Sequence, residues 1–260
     1  MIPEIGDLTA LARQAGEILR GGFRGQHDVS HKGDDIDLVT EMDGRTEAYL
    51  LREIRRRFPD HQVVAEESGV HGASGAYSWF IDPLDGTVNY AHGIPIYSVS
   101  IAFADRGRVR LAAVYDPSRD ECFTAQRGCG AFVNGQPLRV TDLAELSAAL
   151  LVTGFPYDMW TNPVNNLDHF ERFSVRTQGV RRLGSAALDL CYVAAGRFDG
   201  FWELRLKAWD IAAGALIAEE AGAKVTSMEG GADYLRPVAS ILAANPALHG
   251  RMLEILSENP

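Results

Sequence analysis

The chain has 260 residues, 46% hydrophobic and 23% charged. That composition belongs to an ordinary globular protein and excludes a disordered chain, a membrane bundle and a small disulfide scaffold. A formal net charge of −10 gives a mean field that repels nucleic acid and anionic lipid, so neither is expected as a partner, and an anionic substrate needs local positive charge.

Cys122, Cys129 and Cys191 have no CxxC spacing and no paired histidines around them, which argues against disulfides and zinc and fits a reducing cytoplasm. Glu4, Asp7, Arg13, Glu17 and Arg20 leave no room for the apolar segment of a signal peptide. No stretch approaches the roughly 20 apolar residues of a bilayer span.

In chain order, Asp7 reads as the cap of a helix whose apolar positions Leu8, Leu11, Ala12, Ala15, Ile18 and Leu19 follow the helical period up to Gly21-Gly22. A second helix is expected after Asp43, with Ala48, Leu51, Ile54 and Phe58 inward and Pro59 as its stop. Short β-rich runs follow at Val63 to Ala65, Trp79 to Ile81, Tyr97 to Phe103, Val109 to Val114 and Glu121 to Thr124. Asn134-Gly135 marks a two-residue hairpin, because a type I′ turn needs positive φ twice. The first half therefore reads as helices followed by antiparallel sheet.

The second half alternates. Strands are expected at Ala149 to Val152, Val180 to Leu183, Phe201 to Glu203, Lys224 to Thr226 and Ser240 to Ala243. Helices are expected at Asn165 to Val175, Ser185 to Ala195 and Asp210 to Ala221, the last ended by Gly222. The fold class is α/β, with an α+β unit over 1–140 and an α/β unit over 141–260, divided by the change of rhythm near 135–147.

One segment departs from what a fold alone requires: Trp79-Phe80-Ile81-Asp82-Pro83-Leu84-Asp85-Gly86-Thr87. An apolar strand delivers Asp82 at its end, Pro83 sets the turn, and Asp85 follows three residues on, so both carboxylates can face one point. Gly86 permits close backbone approach and Thr87 offers a hydroxyl and an amide. If the strand ending at Ala65 is adjacent in the sheet, Glu66 emerges beside Asp82. Clustered carboxylates repel unless a cation compensates, and an all-oxygen donor set favours Mg²⁺ and a phosphate substrate. The same letters also spell an Asx-type turn, and Asp210 and Asp43 also read as helix N-caps.

Four stretches together resemble the inositol monophosphatase-like family of Mg²⁺-dependent, lithium-sensitive phosphatases: Asp37 to Asp43, Ala65 to Ser68, Trp79 to Asn89, and Trp209 to Gly214. The resemblance implies a layered α-β-α-β-α sandwich, commonly dimeric, hydrolysing a small phosphorylated polyol such as inositol 1-phosphate. It implies that Glu66, Asp82, Asp85, Asp210 and the carbonyl of Leu84 hold two or three Mg²⁺ ions, with Glu66 sharing in catalysis. Asp43 and Thr87 would orient the attacking water, and Gly86 and Thr87 would meet the phosphate together with Asp85 and Asp210. Gly184, Ser185, Ala186 and Glu203 would meet the alcohol, and the Lys32 to Asp37 loop would close over the site. Rival substrates within this chemistry are fructose 1,6-bisphosphate, 3′(2′),5′-bisphosphate nucleotides and histidinol phosphate. A rival of another class is a non-catalytic, transcription-associated regulator. Lys207, and Val88 in place of a threonine, depart from the animal inositol monophosphatases.

Other signals are weaker. Gly128-Cys129-Gly130 lacks the third glycine of a dinucleotide fingerprint and reads as a turn. Arg52, Arg55, Arg56 and Arg57 read as a solvated basic helix face or a partner surface. Arg181, Arg205 and Lys207 are candidates for attracting phosphate.

Overall fold

A computed structural model describes residues 1–25, 29–31 and 38–258, with the side chains of 29–31 and 38 left out. The expected Lys32 to Asp37 loop therefore lies outside the described residues. The first half contains α1 (Ile5–Gly22), β1 (Val29–His31), β2 (Leu38–Thr40), α2 (Glu41–Arg57), β3 (Gln62–Ala65), β4 (Gly69–His71), β5 (Tyr77–Asp85) and α3 (Thr87–Ala91). It continues through β6 (Ser98–Asp105), β7 (Arg108–Asp116), β8 (Glu121–Gln126), β9 (Ala131–Val133) and β10 (Gln136–Pro137). The second half contains β11 (Leu150–Thr153), α4 (Leu167–Ser174), β12 (Gly179–Arg181), α5 (Ala186–Ala194) and β13 (Gly200–Leu206). It ends with α6 (Ala208–Glu220), β14 (Lys224–Thr226), β15 (Ala239–Ala244) and α7 (Pro246–Leu256).

Strands β3 to β10 form one sheet in the order β10-β9-β8-β7-β6-β5-β3-β4, and β11 to β15 form another in the order β12-β11-β13-β15-β14. Helices α1 and α2 bury one apolar stripe, Leu8, Leu11, Leu19, Leu50 and Ile54, against Trp79, Ile101 and Phe103 of the larger sheet. Helices α5 and α6 lie between the sheets, and their residues Ala186 to Ala194 and Ile211 to Ala218 are buried all round. Gly214 lets these two helices approach, since a Cβ there would stand 2.7 Å from the Leu190 Cβ. Helices α4 and α7 cover the far face of the second sheet with Phe173, Leu248 and Met252. The result is the expected α-β-α-β-α layering.

Four expectations need correction. Helix α1 starts earlier, with Glu4 as N-cap, and Asp7 is its third residue, accepting the Glu4 N–H at 3.0 Å. Helix α2 likewise starts at Glu41 behind Thr40, with Asp43 inside its first turn. Helix α6 starts at Ala208 behind Lys207, so Asp210 is its third residue and not its cap. In all three an acid that bonds back to the cap has the same local spelling as the cap itself. The larger sheet is also not wholly antiparallel, because β3 pairs with β5 in parallel. The Asn134-Gly135 hairpin forms as expected, with φ of 48° and 81°.

Candidate active site

The parallel pairing of β3 and β5 sets Ala65 opposite Ile81, and the Glu66 N–H donates to the Ile81 carbonyl at 3.2 Å. Glu66 and Asp82 thus leave the same edge side by side, and the two side chains share a hydrogen bond. Asp82 turns its Oδ1 onto the Leu84 N–H at 2.9 Å, which shapes the turn through Pro83. The Asx turn and the clustering of acids occur together.

Asp85 closes β5 at a register shift against β6. Its Oδ2 accepts from the Ser185 hydroxyl, the Ala187 N–H at 3.0 Å and the Ser98 hydroxyl at 3.3 Å. Two of these donors come from the second half of the chain. Asn89 makes the same connection, donating to the Ile96 and Leu183 carbonyls at 2.8 Å each. Gly86 has φ of 92°, and a Cβ there would lie 2.8 Å from the Ile96 carbonyl, so no side chain fits at this turn.

Thr87 opens α3. Its hydroxyl stands 3.1 Å from Asp43 Oδ1 and 2.9 Å from the Leu84 carbonyl, and its single proton serves one of them at a time. The other oxygen of Asp43 accepts from the Thr40 N–H at 2.8 Å and the Thr40 hydroxyl at 2.6 Å. Asp210 sits in the first turn of α6, where its Oδ2 accepts the Lys207 N–H at 2.6 Å.

One pocket is lined by Glu66, Asp82, Leu84, Asp85, Gly86, Thr87, Gly184, Ser185, Ala186, Glu203 and Asp210. Of the expected site residues only Asp43 stands behind the wall, reaching the pocket through Thr87. Sequence reasoning missed Asn89 as a tie across the halves, and Gly154, Phe155, Arg182 and Asp189 as lining. Asp189 was detectable as the lone charge in the apolar run Ala186 to Ala194. An adjoining cavity is walled by Arg205 and Lys207. Arg205 pairs with Asp158 at 2.6 Å, while Arg181 is exposed and lines neither space.

Burial holds the carboxyls of Asp82 and Asp210 well above the usual range, and Glu66 is the first neighbouring charge adding to this in both. Burial raises Asp85 to about 6, against the pull of its Ser185 and Ala187 hydrogen bonds, and raises Glu203 to about 8. A group of acids strained in this way, with oxygen as its only donor atom, suits a hard divalent cation. Among the described residues, no three His, Cys, Asp or Glu side chains stand in a ready ligating arrangement. The donor set fits Mg²⁺ in kind, and the carboxyls pair with protein donors and with each other.

The inositol monophosphatase family model matches residues 5–260. The Nus factor SuhB of Vibrio cholerae is 41% identical, the match covering 100% of this chain and 97% of that protein. The putative Nus factor SuhB of Neisseria meningitidis serogroup B is 45% identical, covering 85% of each. Among solved structures, an inositol monophosphatase from Anabaena (Nostoc) superposes with a TM-score of 0.89 at 42% identity, covering 98% of this chain and 96% of that one. The extragenic suppressor protein suhB of Bartonella henselae superposes with a TM-score of 0.91 at 36% identity, covering 98% of both. A match over nearly the whole chain, in sequence and in fold, makes this protein a member of the inositol monophosphatase family.

Proposed function

We propose that the chain is a Mg²⁺-dependent phosphatase that hydrolyses small phosphorylated polyols, inositol 1-phosphate first among them, by direct attack of water on phosphorus. The observation carrying this is the meeting of Asp82, Asp85 and Asp210 in one pocket with Thr87, itself backed by Asp43. Glu66, Asp82, Asp85, Asp210 and the Leu84 carbonyl would hold two or three Mg²⁺ ions. When bound, Mg²⁺ supplies Lewis acidity and neutralises charge on the phosphate.

The chain's own residues do the positioning. With its proton turned to Asp43, the Thr87 oxygen offers lone pairs to the attacking water and releases the Leu84 carbonyl for a cation. Gly86 and Thr87 would meet the phosphate at the turn, and Gly184 to Ala186 with Glu203 would face the alcohol. In this reading the stretches 1–140 and 141–260 act as two units with the site between them. Lithium inhibition, a homodimer and a cytoplasmic setting accompany it; no helix among the described residues is long and apolar enough to cross a membrane.

A Mg²⁺-supplemented phosphate-release panel tests the reading, with inositol 1-phosphate, fructose 1,6-bisphosphate, 3′-phosphoadenosine 5′-phosphate and histidinol phosphate as substrates. Inositol 1-phosphate is expected to lead, and Asp85→Asn to lower turnover more than about a hundredfold. Full turnover in Asp85→Asn would refute it. The names of the SuhB relatives favour a second reading, a transcription-associated regulator. Of the α2 arginines, Arg52, Arg56 and Arg57 all meet the single carboxylate of Glu53, so the face is partly paired and stays net positive. Changing Arg52, Arg55, Arg56 and Arg57 to Ser should leave capture of the transcription machinery unaltered if the face is only solvated; loss of capture would make it a contact surface.

A further inference from the structure

The alcohol end of the pocket holds a carboxyl that the reaction does not explain. Asp189 is the only charged residue of α5, a helix whose described residues are all buried between the two sheets. It is 1% exposed, yet it lines the same pocket as Asp85, Glu203 and Arg182. Its Oδ1 is buried, and no group among the described residues hydrogen-bonds to it. Leaving a buried polar atom unpaired costs on the order of 1–3 kcal/mol, and an apolar residue would suit the rest of this helix better. An acid that lines a pocket and keeps a buried oxygen unpaired is explained by a donor that arrives with the ligand.

We propose that Asp189 is a specificity-determining residue that accepts a hydrogen bond from one hydroxyl of the substrate's alcohol, alongside the hydroxyl met by Glu203. The pocket would then select phosphate esters of alcohols carrying neighbouring hydroxyls, an inference that rests on the phosphatase reading above. Burial, followed by the charges of Glu203 and Asp85, drives the Asp189 carboxyl well above its ordinary range, and Arg182 opposes them. A neutral or a charged carboxyl retains an acceptor oxygen for a hydroxyl donor. A second acceptor in the pocket with Glu203 also explains selectivity, because an ester lacking either matching hydroxyl leaves one buried acid unpaired.

The test compares kcat/KM for inositol 1-phosphate with that for phenyl phosphate, which has no alcohol hydroxyl, in the unaltered protein, Asp189→Ala and Asp189→Asn. The ratio is expected to fall tenfold or more in Asp189→Ala and less in Asp189→Asn, whose amide oxygen still accepts. A purely structural residue would lower both esters together, and an unchanged ratio in Asp189→Ala overturns the inference while leaving the phosphatase reading intact. Absence of phosphate release from both esters by the unaltered protein overturns the phosphatase reading and the inference with it. If the alanine variant does not fold, monodeoxy inositol 1-phosphates with the unaltered protein and Asp189→Asn decide: one hydroxyl whose loss costs the unaltered protein tenfold or more should cost Asp189→Asn less, and equal costs at every hydroxyl would overturn the role of Asp189.

Discussion

The starts of α2 and α6 are built alike and used differently. Each places an aspartate at the third helical position, where one carboxylate oxygen accepts the N–H of the preceding cap residue. At α2 the second oxygen of Asp43 is also engaged, by Thr87, and the group is fully buried. At α6 the Asp210 carboxylate has no second hydrogen bond among the described residues and borders the pocket. The same local rule therefore produces a support in one place and a pocket-lining group in the other. What separates them is the neighbour across the fold, not the sequence of the turn.

Substitutions at the two starts should split activity from stability. Asp210→Asn retains a side-chain acceptor for the Lys207 N–H, so unfolding in urea should shift by less than about 1 kcal/mol, while Mg²⁺-dependent phosphate release falls more than about a hundredfold. Equal loss of stability at both positions would erase the contrast. Asp43→Asn should reduce turnover as well, and should also cost about 1–3 kcal/mol, because an amide turns a donor toward either Thr40 or Thr87 where two acceptors stood.

A smaller effect is expected at the alcohol end. A Cβ on Gly154 would stand 2.2 Å from both Glu203 oxygens. Because the obstacle is the free end of a side chain, Gly154→Ala should fold with little loss and push the carboxylate aside. KM for inositol 1-phosphate should then rise about tenfold with kcat less altered, the signature of lost hydroxyl recognition. An unchanged KM would mean that Glu203 does not meet the alcohol.

The smallest effect lies far from both helix starts. Burial, and secondarily the charge of Lys224, lowers His249 to about 4 from an ordinary value of 6.5. The unfolded chain takes up this proton below about pH 6.5 and the folded one resists until about 4, so the contribution of His249 is full above 6.5 and is lost as pH falls through that window. His249→Asn should flatten the corresponding part of a stability-against-pH curve without altering phosphate release. If activity moved with it, stability and site would not be separable in the way the two helix starts suggest.

Much of this was legible in the residues. Helical periodicity located α1, α2 and α6 because a face or a whole surface must be apolar to be buried, and alternation with turn residues located most strands of both sheets. Helix starts were misplaced by two or three residues, since an acid inside the first turn and an acid at the cap have nearly the same local spelling. The parallel join between β3 and β5 depends on which strand lies next to which, and no short window of sequence holds that information. Glu203 was identified through the family pattern, whereas Asp189 passed unnoticed inside an apolar helix.

From its amino acids alone, the chain determined its elements, its apolar faces and the kinds of donor atom available for chemistry, because these follow from local backbone preference and residue type. Only the tertiary structure decided that Ser185 and Ala187 would hold Asp85 and that Asp43 would stand behind Thr87. It also decided that Asp210 would face Asp82 across the two halves of the chain. Such contacts join residues far apart in sequence, and the burial of α5 and α6 between two sheets is what brings them within hydrogen-bonding range.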